Sequence, residues 1–447
     1  MYTSRNNLMA TSKKNIIIAG AGFGGITAAL TLAKTIKRYE KAYEIILVDR
    51  HRHQLYTPAL YEIAAIPEET APDALLKSSI LIPISDIIGG GPIKFICDEV
   101  TGLKPESQKL ILKSTWELEY EFLILALGSK TNYFDIPGLK ENSFPLKTYD
   151  DAKKLRNAIE DSIKKTGAVK IAVGGGGVSG VELIAEFVNF ICTIREKILK
   201  TKNVCSAEFV LIEAAQEILR GFEPWVADKT RNRLTKLGIQ IKTGSAISSV
   251  VPGTVTLKNG TTVSYDILIW TGGVKGPEVL KNFGLPVSDK NSVMVDEFLH
   301  PVRSQAPSAP ADAPMAHRTS NGVHAKTGNE RIFAIGDNST FINPQSGKPL
   351  IWSIPVAESE GVLVAKNILR AIDGRKPKKF TPLKKYPYIF TVGSRYAIAD
   401  LIFIKFSGLL GLMAKALVEL RYLLFILPPK KALITWFRAV KYYSSNN

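Results

Sequence analysis

Residues 15–20, NIIIAG, are apolar at successive positions and rich in β-branched side chains. That pattern predicts a short strand buried on both faces of a parallel sheet. The following stretch, GGITAALTLAKTIKRY, spaces its apolar residues helically, and YEIILVD (43–49) returns to strand character. The same order recurs in VKIAV (169–173), a glycine-rich turn, VELIAEFVNFICTIREKIL and EFVLIEA (208–214). YEFLILALGS (120–129) and YDILIWTGGV (265–274) each predict a strand running into a glycine turn, and RIFAIGD (331–337) a strand ending in Gly-Asp. Strands alternating with helices predict an α/β chain built on parallel sheets, with the β-α-β unit duplicated at domain scale.

Two regions break this rhythm. Residues 300–330 are rich in Pro, Ala and Ser with few large apolar side chains, which predicts a flexible surface loop. Residues 402–427, IFIKFSGLLGLMAKALVELRYLLFIL, are strongly apolar but interrupted by Lys405, Lys415, Glu419 and Arg421, so no uncharged run has the length of about 18–20 residues needed to span a bilayer. After Pro428 and Pro429, helical spacing sets Lys431, Thr435, Arg438 and Lys441 along one face, with Leu433, Ile434, Trp436, Phe437 and Val440 around the rest. That suits a helix in a membrane interface; a pair of core or dimer-interface helices fits the same periodicity.

At 447 residues the chain predicts two or three domains. Cys97, Cys192 and Cys205 form neither a disulfide framework nor a C-x-x-C pair, and are read as buried thiols in a reducing setting. His51 and His53 lack metal-ligand partners at useful spacing and are read as loop contacts, so no metal is expected. The N-terminus has no apolar stretch of a secretory signal. Of the net charge of +17, residues 361–447 supply +13, with 16 Lys+Arg against Asp373, Asp400 and Glu419. Such a terminus points to an anionic partner. Its basic residues are interleaved with Leu and Ile and no nucleic-acid-binding motif is present, which favours a membrane surface.

The glycine turns carry the chemistry. Gly20, Gly22 and Gly25 fit G-x-G-x-x-G between strand and helix. The first glycine permits the tight turn, the second lets a pyrophosphate approach the backbone, and the third lets helix and strand pack closely. Asp49 ends the second strand, where an acid accepts from ribose hydroxyls. Gly175, Gly177 and Gly180 repeat the pattern, with Glu213 at the end of the following strand. Glu213 would repel a 2′-phosphate and so favours NADH over NADPH. Two such cradles predict two dinucleotides, a bound FAD and an exchangeable NADH, between which hydride passes. Gly128 and Gly336 complete the cofactor-binding set, and Asp337 is the candidate to close over the flavin's ribityl chain. Two Rossmann-like dinucleotide-binding domains are therefore expected, arranged as in glutathione reductase: residues 1–150 the first part of an FAD domain, 151–275 an NADH domain, 276–385 the second FAD part, and 386–447 a helical membrane-association region.

AGAGFGGITAAL, HQLYTPALYEIA, ILALGS, VGGGGVSGVELIAEF, DILIWTGGVKG and IFAIGD occur in the order seen in type II NADH dehydrogenases, which the chain resembles over most of its length. These are FAD-dependent, non-pumping NADH:quinone oxidoreductases that end in amphipathic helices. The resemblance implies that Glu182 matches a family glutamate near nicotinamide and flavin, where a carboxylate orients the nicotinamide or relays a proton; an acid favouring a helix N-terminus is the plainer reading. It also implies a peripheral membrane protein on the cytoplasmic or matrix face, able to form a homodimer. The chain departs at IPVAESEG (354–361), where Pro355 and Ser359 stand in place of two family glutamines beside the quinone. Pro355 suits a helix start, but the usual polar quinone contacts are missing, leaving open a flavoprotein with another acceptor or a redox-sensing role. Trp352, just before, either lines the acceptor pocket or packs the core. The related sulfide:quinone oxidoreductases use cysteines downstream of the ALGS turn and near Gly-Asp, and this chain has none between 98 and 191 or after 205.

Overall fold

The computed structural model describes residues 13–114, 116–194, 207–302, 329–393 and 395–443. Most of the expected 300–330 loop, and Cys205, lie outside them. The chain divides into two units. One comprises residues 1–52, 84–129 and 275–383, and the other residues 53–83, 130–274 and 384–447.

In the first unit Ile16, Ile17, Ile18 and Ala19 are fully buried, which demands apolar layers on both faces of the strand Lys14–Ala19. That strand is central in a five-stranded parallel sheet ordered Ile332–Ala334, Phe122–Leu125, Lys14–Ala19, Tyr43–Asp49, Ile93–Cys97. The helices Phe23–Thr35 and Ile354–Ile372 pack closely because both are small at the crossing: a Cβ at Gly361 would lie 2.6 Å from the carbonyl of Gly24.

The second unit repeats the arrangement. Its parallel sheet is ordered Phe144–Pro145, Ile267–Trp270, Val169–Gly174, Ala207–Ile212, Ile239–Lys242. The helix Val178–Ile194 lays Leu183, Ile184, Phe187, Phe190 and Ile191 into its core. Beside this lies an antiparallel sheet, Tyr388–Thr391, Ala397–Asp400 and Lys405–Gly408, followed by two helices, Leu409–Ile426 and Pro429–Tyr443. The last helix buries Ala432 and Ala439 while Leu433, Ile434 and Phe437 face solvent. No helix among the described residues is long and apolar enough to cross a membrane.

This division differs from a sequential one in two places. HQLYTPALYEIA buries Leu60, Tyr61, Ile63 and Ala64 in the same core as Phe187 and Phe390, so residues 53–83 join the second sheet rather than the first. Residues 384–447 join it too, through Phe390 and Ile398. The cysteine expectation is corrected as well. Cys97 ends the edge strand Ile93–Cys97, and Cys192 lies on the helix Val178–Ile194; both are exposed and outside any disulfide.

Candidate dinucleotide-binding sites

The two glycine turns are built alike. Each begins where a central strand ends between its two partners, the position at which open α/β sheets take ligands. The amide of Gly20 donates to Val48 O and that of Gly175 to Ile212 O, both at 2.8 Å. Gly20 and Gly175 have φ of +111° and +114°, and Cβ atoms there would strike the backbone just past the neighbouring strand, Ala126 O at 2.1 Å and Gly272 Cα at 2.6 Å. Gly25 and Gly180 touch their own turns, with Cβ positions 1.9 Å from Gly20 O and 2.0 Å from Gly175 O. Gly22 and Gly177, by contrast, have nothing within 4 Å of a Cβ position. The middle glycine of each turn therefore faces open space at the start of the helices Phe23–Thr35 and Val178–Ile194, whose first N–H groups favour an anion. In each turn the backbone at the middle glycine is open to approach by a group such as a diphosphate.

Each turn is held by the predicted acid. Asp49 accepts from the amides of Ala21 (Oδ2) and His51 (Oδ1), both at 2.8 Å. Glu213 accepts from Gly176 (Oε2, 2.6 Å) and Ala215 (Oε1, 2.7 Å). The acids thus brace the turns, and each oxygen keeps a further lone pair for a ribose hydroxyl.

Around Asp337 the first unit gathers groups that sequence reasoning missed. Ser129 Oγ donates to Asp337 Oδ2 at 2.8 Å, and the amide of Gly128 donates to Asn338 Oδ1 at 3.2 Å. Asn338, fully buried, donates in turn to Leu125 O. The loops bearing Gly128 and Gly336 are thereby tied together. Glu360 completes the arrangement: one of its carboxyl oxygens accepts from the amide of Gly336 at 2.6 Å, and burial pushes the carboxyl up to about 8. An acid at i+4 from Val356 and i−4 from Val364, on the buried face of an apolar helix, was the sequence signal for it. Pro355 is the second residue of that helix, as its fixed φ predicts. Ser359 turns its hydroxyl back to Val356 O, and the indole N–H of Trp352 donates to Ser339 O at 2.8 Å. Trp352 is thus tied into its own unit's packing.

Glu182 lies in the second unit's helix beyond its first turn, which contains no acid, so the helix-dipole reading of this residue is not supported. It is 8% exposed and accepts from the amide of Thr391 at 3.1 Å. Burial pushes its carboxyl up to about 8, against the pull of the Lys415 ammonium. Close by in the same unit, Lys415 Nζ lies 2.5 Å from Glu62 Oε1, with Tyr61 donating to that oxygen at 2.8 Å. Burial alone would lower Lys415, but the carboxylates of Glu62, Glu182 and Glu419 outweigh it and raise it. Burial also pushes Glu419 up to about 7. Glu62, Lys415 and Glu419 were not foreseen as a group, because only the fold brings them together.

The model of the family described as Pyridine nucleotide-disulphide oxidoreductase matches residues 14–361. The chain belongs to this family. Demethylphylloquinone reductase NdbB of Synechocystis sp. is 27% identical over 423 residues, covering 92% of this chain and 93% of that protein. The type II NADH:quinone oxidoreductase of Staphylococcus aureus strain RF122 is 25% identical over 383 residues, covering 83% of this chain and 86% of that one. The structure of NDH2 from Plasmodium falciparum in complex with NADH matches with a TM-score of 0.76 at 20% identity, over 97% of this chain and 99% of that one. That last likeness speaks to the fold. Proteins named as type II NADH:quinone oxidoreductases are thus among those the chain is similar to over most of its length, as its motifs implied. Membership implies binding of FAD and NAD(P)H, and the two turns have the build to receive them.

Proposed function

We propose that the protein oxidises NADH by way of FAD and delivers two electrons to a membrane quinone, without pumping protons. The observation that carries this reading is the pair of equivalent turns, each with an open middle glycine and a bracing acid. Support for the acceptor comes from the names of the relatives. FAD, when bound, supplies the two-electron acceptance and release that side chains lack. Gly20, Gly22, Gly25 and Asp49 hold its adenosine diphosphate, with Gly128, Gly336 and Asp337 at the ribityl side. Gly175, Gly177, Gly180 and Glu213 hold NADH, and the Glu213 carboxylate disfavours a 2′-phosphate. Glu182 keeps a proton at neutral pH and is the residue proposed to give or relay it.

We further propose peripheral attachment to the cytoplasmic or matrix face of an anionic membrane through residues 384–447, which carry 10 Lys+Arg against Asp400 and Glu419. Leu410, Met413, Leu417 and Leu424 form an exposed row on the helix Leu409–Ile426 in support.

A second reading keeps NADH and FAD but replaces quinone by another acceptor or a sensing role. It rests on Pro355 and on Ser359, whose hydroxyl is spent within its own helix. Anaerobic titration of the FAD-loaded protein with NADH, followed by short-chain menaquinone or ubiquinone analogues, separates the cases. Rapid bleaching and quinone turnover are expected. Bleaching without turnover would favour the second reading, and a flavin that stays oxidised under NADH would overturn both.

A further inference from the structure

Between the strands Ala397–Asp400 and Lys405–Gly408 the chain reverses through Leu401, Ile402, Phe403 and Ile404. The amide of Leu401 donates to Ile404 O at 3.0 Å, so Ile402 and Phe403 make the turn itself. Ile402 has φ +77°, a left-handed conformation that tight hairpins give to Gly, Asn or Asp and that a β-branched residue resists. Phe403 is 94% exposed and Ile404 62%. Four apolar residues in a row thus occupy the turn; Leu401 and Ile402 are 36% exposed, but folding gains little from Phe403 and Ile404, and Ile402 is strained. A polar turn would form more readily, so the apolar tip answers to something outside the chain.

The base of the hairpin is rigid. Asp400, fully buried, accepts from the Ile402 amide at 2.9 Å, from Lys385 at 2.6 Å and from the Tyr388 hydroxyl at 3.3 Å. Around it stand Trp225, Lys229 and Lys405, with Glu223 paired to Lys385 and Lys405 at 2.7 and 2.6 Å, so that Lys229 is the cation of the collar that this carboxylate does not pair. Lys405 Nζ lies 5.5 Å and Lys229 Nζ 5.9 Å from the ring centre of Trp225, and Lys229 also donates to Ser407 Oγ at 3.0 Å. An apolar tip on a collar of Trp and Lys has the layering of a bilayer interface, where aromatics and lysines sit at headgroup depth beneath an acyl interior. The excess of 10 Lys+Arg over two acids in residues 384–447 complements anionic lipid.

We infer that the tip Leu401–Ile404 is a finger that inserts into an anionic lipid surface, with Phe403 in the acyl layer and Trp225, Lys229 and Lys405 among the headgroups. It rests on the membrane attachment proposed above and adds to the terminal helices a second, separately mutable point of insertion. Flotation of the full-length flavoprotein with vesicles of phosphatidylcholine, with and without phosphatidylglycerol, tests it. The double variant Ile402→Gly, Phe403→Asn relieves the left-handed strain, so it keeps or raises thermal stability. It should bind phosphatidylglycerol vesicles at least tenfold more weakly than the unaltered protein, with NADH oxidation by a water-soluble acceptor unchanged. Phe403→Trp should gain fluorescence quenching by brominated lipids over the unaltered protein. If the double variant floats like the unaltered protein while Leu410→Glu, Leu417→Glu does not, the finger is overturned and the membrane reading stands. If the unaltered protein floats with neither vesicle, the membrane reading falls and the finger with it. If the double variant binds vesicles normally but sediments as a monomer where the unaltered protein is a dimer, the tip docks on a second copy and the inference is overturned.

Discussion

Glu360 accepts a 2.6 Å hydrogen bond from the backbone N–H of Gly336, and only 2% of the residue meets solvent. A buried carboxyl thus fixes the Gly-Asp turn from beneath. Burial pushes it to about 8, against an unfolded value of ~4.3. The folded chain therefore binds more protons than the unfolded one between these limits. Stability is greatest below the unfolded value and falls as pH rises through the window, by at most about 1.4 kcal/mol per unit for this group. Glu360→Gln, which keeps an acceptor for Gly336 without titrating, should flatten the decline of melting temperature between pH 5 and 8. Glu360→Ala should instead cost about 1–3 kcal/mol at every pH by leaving the amide unpaired.

The two kinds of glycine in the first turn separate folding from cofactor binding. At Gly22 a methyl group meets no atom within 4 Å and the backbone has φ −76°, so Gly22→Ala should fold and melt close to the unaltered protein. It should nevertheless purify nearly free of flavin absorbance if, as proposed, the FAD diphosphate lies against this glycine. Gly25→Ala places a methyl 1.9 Å from Gly20 O and should not yield folded protein. Flavin retained by Gly22→Ala would argue against this cradle.

Much of this was legible because it is local. A strand, a glycine turn and a terminal acid lie close together in the chain, from Lys14 to Asp49 and from Val169 to Glu213, and the turn's geometry dictates its residues. Asn338 and Gly128, Glu360 and Gly336, and Lys415 and Glu62 are joined only by the fold, and single acids or lysines inside apolar helices were the only hint. The placement of residues 53–83 with the second sheet was hidden for the same reason. An apolar helix such as Leu60–Ala64 states that it is buried, not against which sheet.

Glu182 gives a prediction about rate. Its carboxyl, pushed to about 8 by burial, holds a proton across neutral pH and loses it above. If that proton serves turnover, NADH:quinone activity declines above pH 8. Glu182→Gln should lower kcat roughly 100-fold and abolish that alkaline limb. The same limb persisting in Glu182→Gln would assign it to another group.

At Glu213 the carboxylate braces the turn, and in the proposed function it also selects the coenzyme. Glu213→Arg removes the acceptor of the Gly176 and Ala215 amides and introduces a cation where a 2′-phosphate would lie. Its kcat/KM should fall about tenfold or more for NADH and shift in relative terms toward NADPH. An unchanged ratio of the two would remove Glu213 from the ribose site.

The contact of Lys415 with Glu62 is a test of buried charge. Their side chains are 16% and 11% exposed, and Glu62 Oε2 has no hydrogen-bond partner. Taking such a pair from water costs about as much as its attraction returns, whereas removing one member strands the other. Lys415→Met should therefore destabilise the protein by about 3–5 kcal/mol in denaturant titration, because it leaves the buried Glu62 carboxylate without its cation. Adding Glu62→Leu to it should restore much of that loss. A double variant no more stable than Lys415→Met alone would show that the pair acts through charge balance with Glu182 and Glu419 rather than through its own bond.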